Sequence, residues 1–214
     1  MHYYILSKEL FFPPVNKADD EGLLCIGGDL SPERLLLAYR SGIFPWYNDD
    51  LPLWWCPDPR FVLFPQQLKV SKSMRPLLNG NKYEFRYNTS FRQVITACKT
   101  TERKEEDGTW INEDIIEAYC RINRLGKAVS FECWENNILV GGLYGIRLGN
   151  IFFGESMFSH KTNASKFAFI KAVQQLINEG VVLIDCQIHS NHLESLGAIF
   201  ISRKQFIETL NQEI

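Results

Sequence analysis

Residues 128–157 limit the possible folds more than any other part of the chain. AVSFECW alternates apolar and polar side chains, ENN supplies a turn, and ILVGGLYGIRL and IFFGESM follow as two more extended runs. Connections this short join antiparallel neighbours, because a parallel pair needs a crossover of roughly a dozen residues or more. The segment therefore predicts an antiparallel meander. After it, Asn163 is placed to cap ASKFAFIKAVQQLINE, Gly180 ends that helix, and VVLIDCQI reads as a buried strand rich in β-branched residues. A helical turn NHLESLG, the strand AIFIS and a last helix RKQFIETLNQ complete an α+β order.

The chain before the meander is organised differently. Ser31 and Pro32 are a cap residue and a proline suited to the first helical position, ERLLLAYR continues the helix, and Gly42 stops it. GIFPWYNDDLPLWWCPDPR follows, with three tryptophans and four prolines in a stretch too broken for a helix and too irregular for a plain strand. Residues 1–66 are expected to form a small first domain, and residues 67–214 a larger second one. In the latter, SKSMRPLL and SFRQVITAC predict two short basic helices, and Asn112 caps EDIIEAYCRINRL, which ends at Gly126.

Composition excludes several classes. Apolar runs such as LLLAY and VVLI fall far short of the roughly 18 residues of a membrane span. The start, MHYYILSKELFFPP, lacks a basic region followed by an apolar one, so a cytoplasmic location is expected. The six cysteines form no C-x-x-C pair and read as reduced, buried thiols. His189 and His192 could share a helical face, but no third ligand follows at a recognisable spacing, and no metal site is expected. A net charge of -2 argues against indiscriminate coating of nucleic acid. Between residues 67 and 104, however, nine basic residues, among them Lys69, Lys72, Arg75, Lys82 and Arg86, face only Glu84 and Glu102. Such a concentrated excess suits a phosphate backbone; a solvated helical surface balanced by EEDG explains it equally well.

Three polar groups interrupt apolar strands. Glu155 follows Gly154 in FFGESMFS, and Asp185 and Gln187 are two apart in VVLIDCQI, which puts both on one face of a regular strand. A buried carboxylate needs a partner or a task, and Glu155 and Asp185 on adjacent strands could line one polar cleft. Trp110, in DGTWI, joins Trp46, Trp54 and Trp55 as rings beside the basic stretch, the combination that an unpaired nucleotide end requires.

The run GLLCIGGDLSPERLLLAYRSGIFPW, then LWWCPDPR, DGTWI, GGLYG, FFGESMFS, NASK, LIDCQ and HLESLGA closely resembles the bacterial leucyl/phenylalanyl-tRNA protein transferases, from about residue 3 to 210. The resemblance implies a small N-terminal domain packed on a GNAT-like acyltransferase domain, acting as a cytosolic monomer without metal or organic cofactor. It implies transfer of Leu or Phe, and less well Met, from aminoacyl-tRNA to the amino terminus of proteins beginning with Arg or Lys, which marks them for N-end rule degradation. It carries the catalytic roles onto Glu155, Asp185 and Gln187, and the aminoacyl-adenosine site onto Trp46, Trp110 and Phe152. Leu143, Phe169, Leu176 and Ile184 fall at positions of the side-chain pocket. Ser190 stands where relatives often have Asn or Thr, and Ala172 replaces a bulky aromatic of some relatives, which leaves the choice between Leu and Phe open.

Two other readings share some of these features. An acetyl-CoA-dependent N-acetyltransferase would have the same order of elements, but it needs a glycine-rich pyrophosphate loop that SMFSHKTNASK does not contain. A non-catalytic module that binds tRNA acceptor ends would use the tryptophans and basic helices, and would leave Glu155, Asp185 and Gln187 without a reason to interrupt apolar strands.

Overall fold

The computed structural model describes residues 4–48, 51–101 and 111–214. In chain order the elements are β1 (Tyr4–Leu6), β2 (Leu23–Gly27), α1 (Pro32–Arg40), β3 (Phe44–Pro45), β4 (Leu53–Trp55), β5 (Arg60–Leu63), α2 (Arg75–Asn79), β6 (Glu84–Tyr87), α3 (Phe91–Thr100) and α4 (Glu113–Arg124). Then come β7 (Ala128–Glu135), β8 (Ile138–Leu148), β9 (Ile151–Ser159), α5 (Ala164–Asn178), β10 (Leu183–Gln187), α6 (Asn191–Ser195), β11 (Ile199–Ile201) and α7 (Arg203–Glu213). They build two sheets, ordered β1-β2-β4-β3 and β11-β5-β10-β9-β8-β7-β6.

The meander forms as its short turns require: β7, β8 and β9 pair antiparallel in sequence. Between β9 and β10 the chain crosses through α5, and these two strands pair parallel, the one such pair of the large sheet among the described residues. Residues 60–63, assigned to the first unit by a boundary near residue 66, instead form β5 inside the large sheet, between β10 and β11. All four of its residues are buried, as a strand covered on both faces demands. The change from small to large sheet therefore falls at residues 56–59.

The caps follow local chemistry. Ser31 Oγ accepts the Arg34 N–H at the start of α1, with Pro32 at the first helical position, and Asn112 Oδ1 accepts the Ile115 N–H at the start of α4. Asn163 departs from expectation: it precedes α5 in a left-handed conformation, φ 63°, and its side chain caps nothing. The Ser165 N–H finds Ser159 Oγ instead, so the preceding strand supplies the cap. SKSMRPLL makes a tight turn and only the five residues of α2.

Two glycines are fixed by close approach. Gly42 has φ +76°, and a Cβ there would lie 2.6 Å from Ile207 Cδ1 of α7. Gly141 of β8 lets the start of α5 approach so closely that a Cβ would lie 2.6 Å from that of Ala164. One core fills the space between the small sheet, α1, α3, α4, α7 and one face of the large sheet; a second lies under α5 on the opposite face. Trp54 is fully buried in the first core and donates its indole N–H to the Gly27 carbonyl. Among the described residues, no helix is long and apolar enough to cross a membrane.

Substituting Gly42 by Ala places a side chain in a left-handed conformation and against α7. The expected cost is about 2 kcal/mol, from the strain and the clash together, read as a lower urea midpoint at unchanged slope.

Candidate active site

The two sheets meet over a cavity of about 400 Å³. Phe44 and Pro45 of β3, with Trp46 after them, form the wall from the small unit. The facing wall comes from the large sheet: Leu143 and Tyr144 of β8, residues 154–157 of β9, and residues 184–187 of β10. Phe169 of α5 and residues 188–190 close it. Trp46 is half-buried, and its carbonyl accepts the indole N–H of Trp55 at 2.6 Å, so the neighbouring strand holds its backbone.

The base of the cavity rests on an ion pair. Arg60 Nε and Nη2 donate to Asp185 Oδ1 and Oδ2 at 2.8 and 2.7 Å, and neither side chain has any exposed surface. Phe44 and Phe206 cover the guanidinium, with ring centroids 4.7 and 4.6 Å from its central carbon. Bidentate geometry and aromatic cover offset the cost of taking both charges out of water. Asp185 Oδ1 also accepts the Gln187 N–H at 2.9 Å.

That last bond replaces the regular strand geometry expected of β10. Gln187 has φ +64°, and the pairing with β5 slips between Asp185 and Gln187, so simple two-residue alternation ends there. The carboxylate of Asp185 folds back onto the backbone of Gln187, and the Gln187 side chain reaches across to β9, where Nε2 donates to Glu155 Oε1 at 2.9 Å.

Glu155 carries the titratable chemistry. Tyr39 Oη of α1 donates to its Oε1 at 2.8 Å, Tyr119 Oη of α4 donates to its Oε2 at 2.9 Å, and the two tyrosine oxygens lie in direct contact with each other. Burial pushes the Glu155 carboxyl up to about 7, against the hydrogen bonds from the tyrosines, which lower it. Burial, then the charge of Glu155, holds both tyrosines well above their ordinary range, so they remain phenols.

Of the residues singled out in the sequence, Trp46, Leu143, Phe169 and Ile184 line the cavity together with Glu155, Asp185 and Gln187. Phe152 and Leu176 do not: both are buried in the core behind the wall, Phe152 edge-on to Phe131. Trp110, Arg103 and Lys104 lie outside the described residues. Lys69, Lys72, Arg75 and Lys82 are exposed. Arg86 is held by a bidentate bond to Glu84, a bond to Asn137 and the face of Trp134. Arg92 pairs with Glu117 and Lys99 with Glu113, which reduces the local basic excess. His189 and His192 reach the cavity, and no group of three His, Cys, Asp or Glu able to hold a metal occurs among the described residues.

Sequence reasoning missed Tyr39, Tyr119 and Arg60. The two tyrosines sit on the apolar stripes of helices 80 residues apart, where each reads as an ordinary core aromatic. Arg60 did carry a signal: a charge opening the fully apolar run FVLF raises the same question as Asp185 in VVLIDCQI.

An apolar pocket fused to one titratable carboxyl, an amide and two phenols can seat an apolar acyl group and manage a proton beside it; this is the equipment of an acyltransferase. Family models for the leucyl/phenylalanyl-tRNA protein transferase and for its N-terminal domain match residues 62–211 and 28–58. Curated proteins named leucyl/phenylalanyl-tRNA-protein transferase are similar over nearly the whole chain. That of Flavobacterium johnsoniae is 54% identical, covering 98% of this chain and 100% of its own. That of Christiangramia forsetii is 55% identical, covering 97% and 99%, and that of Syntrophobacter fumaroxidans 50%, covering 100% and 92%. The chain belongs to the leucyl/phenylalanyl-tRNA protein transferase family. Likeness to solved structures is weak: a GCN5-related N-acetyltransferase from Kribbella flavida is 10% identical at a TM-score of 0.41, over 77% of this chain and 58% of that one.

Replacing Asp185 by Ala leaves the Arg60 guanidinium buried without its counter-charge. The expected loss is about 3–5 kcal/mol in urea unfolding, whereas Gln187→Ala, which breaks only the bond to Glu155, costs about 1 kcal/mol. The raised carboxyl of Glu155 gives a second expectation. The folded state holds this proton more tightly than the unfolded chain, so its contribution to stability is full below the ordinary carboxylate range and is lost as pH rises through about 7. Glu155→Gln should therefore gain on the parent protein in urea midpoint between pH 5 and pH 8, and a constant difference across that range would contradict the assignment.

Proposed function

We propose that the chain transfers leucine or phenylalanine, and methionine less well, from aminoacyl-tRNA to the α-amino group of proteins with an N-terminal Arg or Lys, marking them for N-end rule degradation. The observation that carries this reading is the joining of a chain-length family match to an apolar cavity that ends in Glu155 and Gln187. The donor ester is already activated, so aminolysis runs downhill and calls for positioning, exclusion of water and handling of a proton. Leu143, Phe169 and Ile184 offer an apolar seat for the acyl side chain. Such a pocket separates near-isosteres by only about 1–3 kcal/mol, which fits use of Leu, Phe and Met.

Trp46 is the candidate contact for the terminal adenosine, a reading supported by its place on the cavity wall, and Trp110 is carried with it by resemblance. Asp185 is fully engaged by Arg60 and the Gln187 N–H, so its role is to position Gln187. Lys69, Lys72, Arg75 and Lys82 are the candidates for tRNA phosphates, with Arg86 less suited because Glu84 holds it. The protein is read as a cytoplasmic monomer.

The decisive assay is transfer of labelled leucine from Leu-tRNA to peptides starting with Arg, Lys, Asp or Glu. Transfer to Arg and Lys peptides is expected, and a folded protein inert with both Leu-tRNA and Phe-tRNA would overturn the reading. Trp46→Ala should raise the KM for aminoacyl-tRNA about tenfold or more, corresponding to a lost base stack, while leaving thermal stability near that of the parent.

A further inference from the structure

The ring of hydroxyls around Glu155 holds one proton fewer than it has places for. Tyr39 and Glu155 Oε1, Tyr119 and Glu155 Oε2, and the two hydroxyls themselves make three contacts. The phenols, held well above their ordinary range, supply only two protons. With Glu155 ionised, one contact lacks a hydrogen. A single added proton on Oε2 completes a cycle: Oε2–H donates to Tyr119, Tyr119 to Tyr39, and Tyr39 to Oε1, with Gln187 Nε2 still donating to Oε1.

Asp185 and Gln187 are otherwise engaged. Both Asp185 oxygens are occupied by Arg60 and Oδ1 also by the Gln187 N–H, in a place with no exposed surface. The Gln187 amide nitrogen is a donor with no basic lone pair. Tyr39 of α1, Tyr119 of α4 and Asp185 of β10 act on Glu155, and Tyr144 of β8 and Arg60 of β5 act in turn on the tyrosines and on Asp185. His189 and His192 line the cavity as well, and His189 Nε2 lies 3.0 Å from Glu194.

We propose that Glu155 is the general base of the transfer, and that Tyr39 and Tyr119 are positioning residues that hold its carboxylate and close the ring around the proton it takes. The proposal rests on the reading that the cavity is where transfer occurs. The acceptor ammonium gives one proton to the Glu155 carboxylate. The freed nitrogen lone pair then forms the bond to the ester carbonyl carbon. The bond from that carbon to the ribose oxygen breaks, the electron pair leaves with the oxygen, and the second amine proton passes to it. The products are the amide, a free ribose hydroxyl and a protonated Glu155, which returns its proton to water before the next cycle.

The test uses single-turnover transfer from Leu-tRNA to an Arg-starting peptide as a function of pH. Glu155 must be ionised to act, so the rate should rise with pH along a limb centred near 7. Glu155→Gln is an isosteric mimic of the protonated state, its amide N–H standing where the carboxyl proton would. It should keep the ring, lower kcat by about 100-fold or more with little change in peptide KM, and lose the limb. Tyr39→Phe and Tyr119→Phe each remove a donor that favours the carboxylate more than the acid, and should move the limb upward by roughly one unit. In the parent protein, the 13C carboxyl signal that disappears in Glu155→Gln should titrate with the same midpoint as the rate. A limb that survives Glu155→Gln, that vanishes in His192→Gln, or an effect confined to peptide KM would overturn the proposal. If Trp46→Ala and Glu155→Gln both leave donor and peptide kinetics unchanged, the cavity itself is not the site, which is a separate failure.

Discussion

The buried pair of Arg60 and Asp185 is the point through which the separate parts of this molecule are tied together. Arg60 begins β5, Asp185 lies in β10, and the rings that cover the guanidinium come from β3 of the small sheet and from α7 near the end of the chain. A charge pair in such a place is not a general source of stability, since an apolar substitute of equal volume can do as well. Its value lies in direction. A guanidinium bound through Nε and Nη2 to one carboxylate and enclosed by two rings fixes the angle of Asp185, and Asp185 in turn fixes the backbone of Gln187 through the bond to its N–H.

The chemistry of the site follows from that constraint and from the burial of the carboxyl beside it. Glu155 stands at the end of an apolar strand segment, where burial disfavours its charge, yet two phenols and an amide supply hydrogen bonds to the ionised form. The opposing influences leave the carboxyl near neutrality instead of at either extreme. Each donor comes from a different element, α1, α4 and β10, so the acidity of one group depends on the packing of three.

Much of the fold was legible because its signals are local. The turns at ENN and after ILVGGLYGIRL dictated the meander, and Ser31-Pro32 and Asn112 marked helix starts by side-chain chemistry that needs no tertiary partner. Asn163 shows the limit of that reasoning: Ser159, four residues earlier, provides the cap. Residues 60–63 join the large sheet, and PDPRFVLF carries no local mark of which sheet will receive it. At the site, Glu155, Asp185 and Gln187 were visible as polar breaks in apolar strands. Their true partners were not, since Tyr39, Tyr119 and Arg60 join them across separations of 116, 36 and 125 residues. No periodicity spans such distances.

The half-buried ring of Trp46 has a further meaning. Its carbonyl is tied to Trp55, its neighbour Phe44 lies on the guanidinium of Arg60, and the cavity it faces is floored by the other sheet. The two units therefore own the cavity jointly, like two jaws sharing one bite, and neither contains a reduced version of it. A shift of either sheet against the other would open that bite, whatever either wall kept of its own shape.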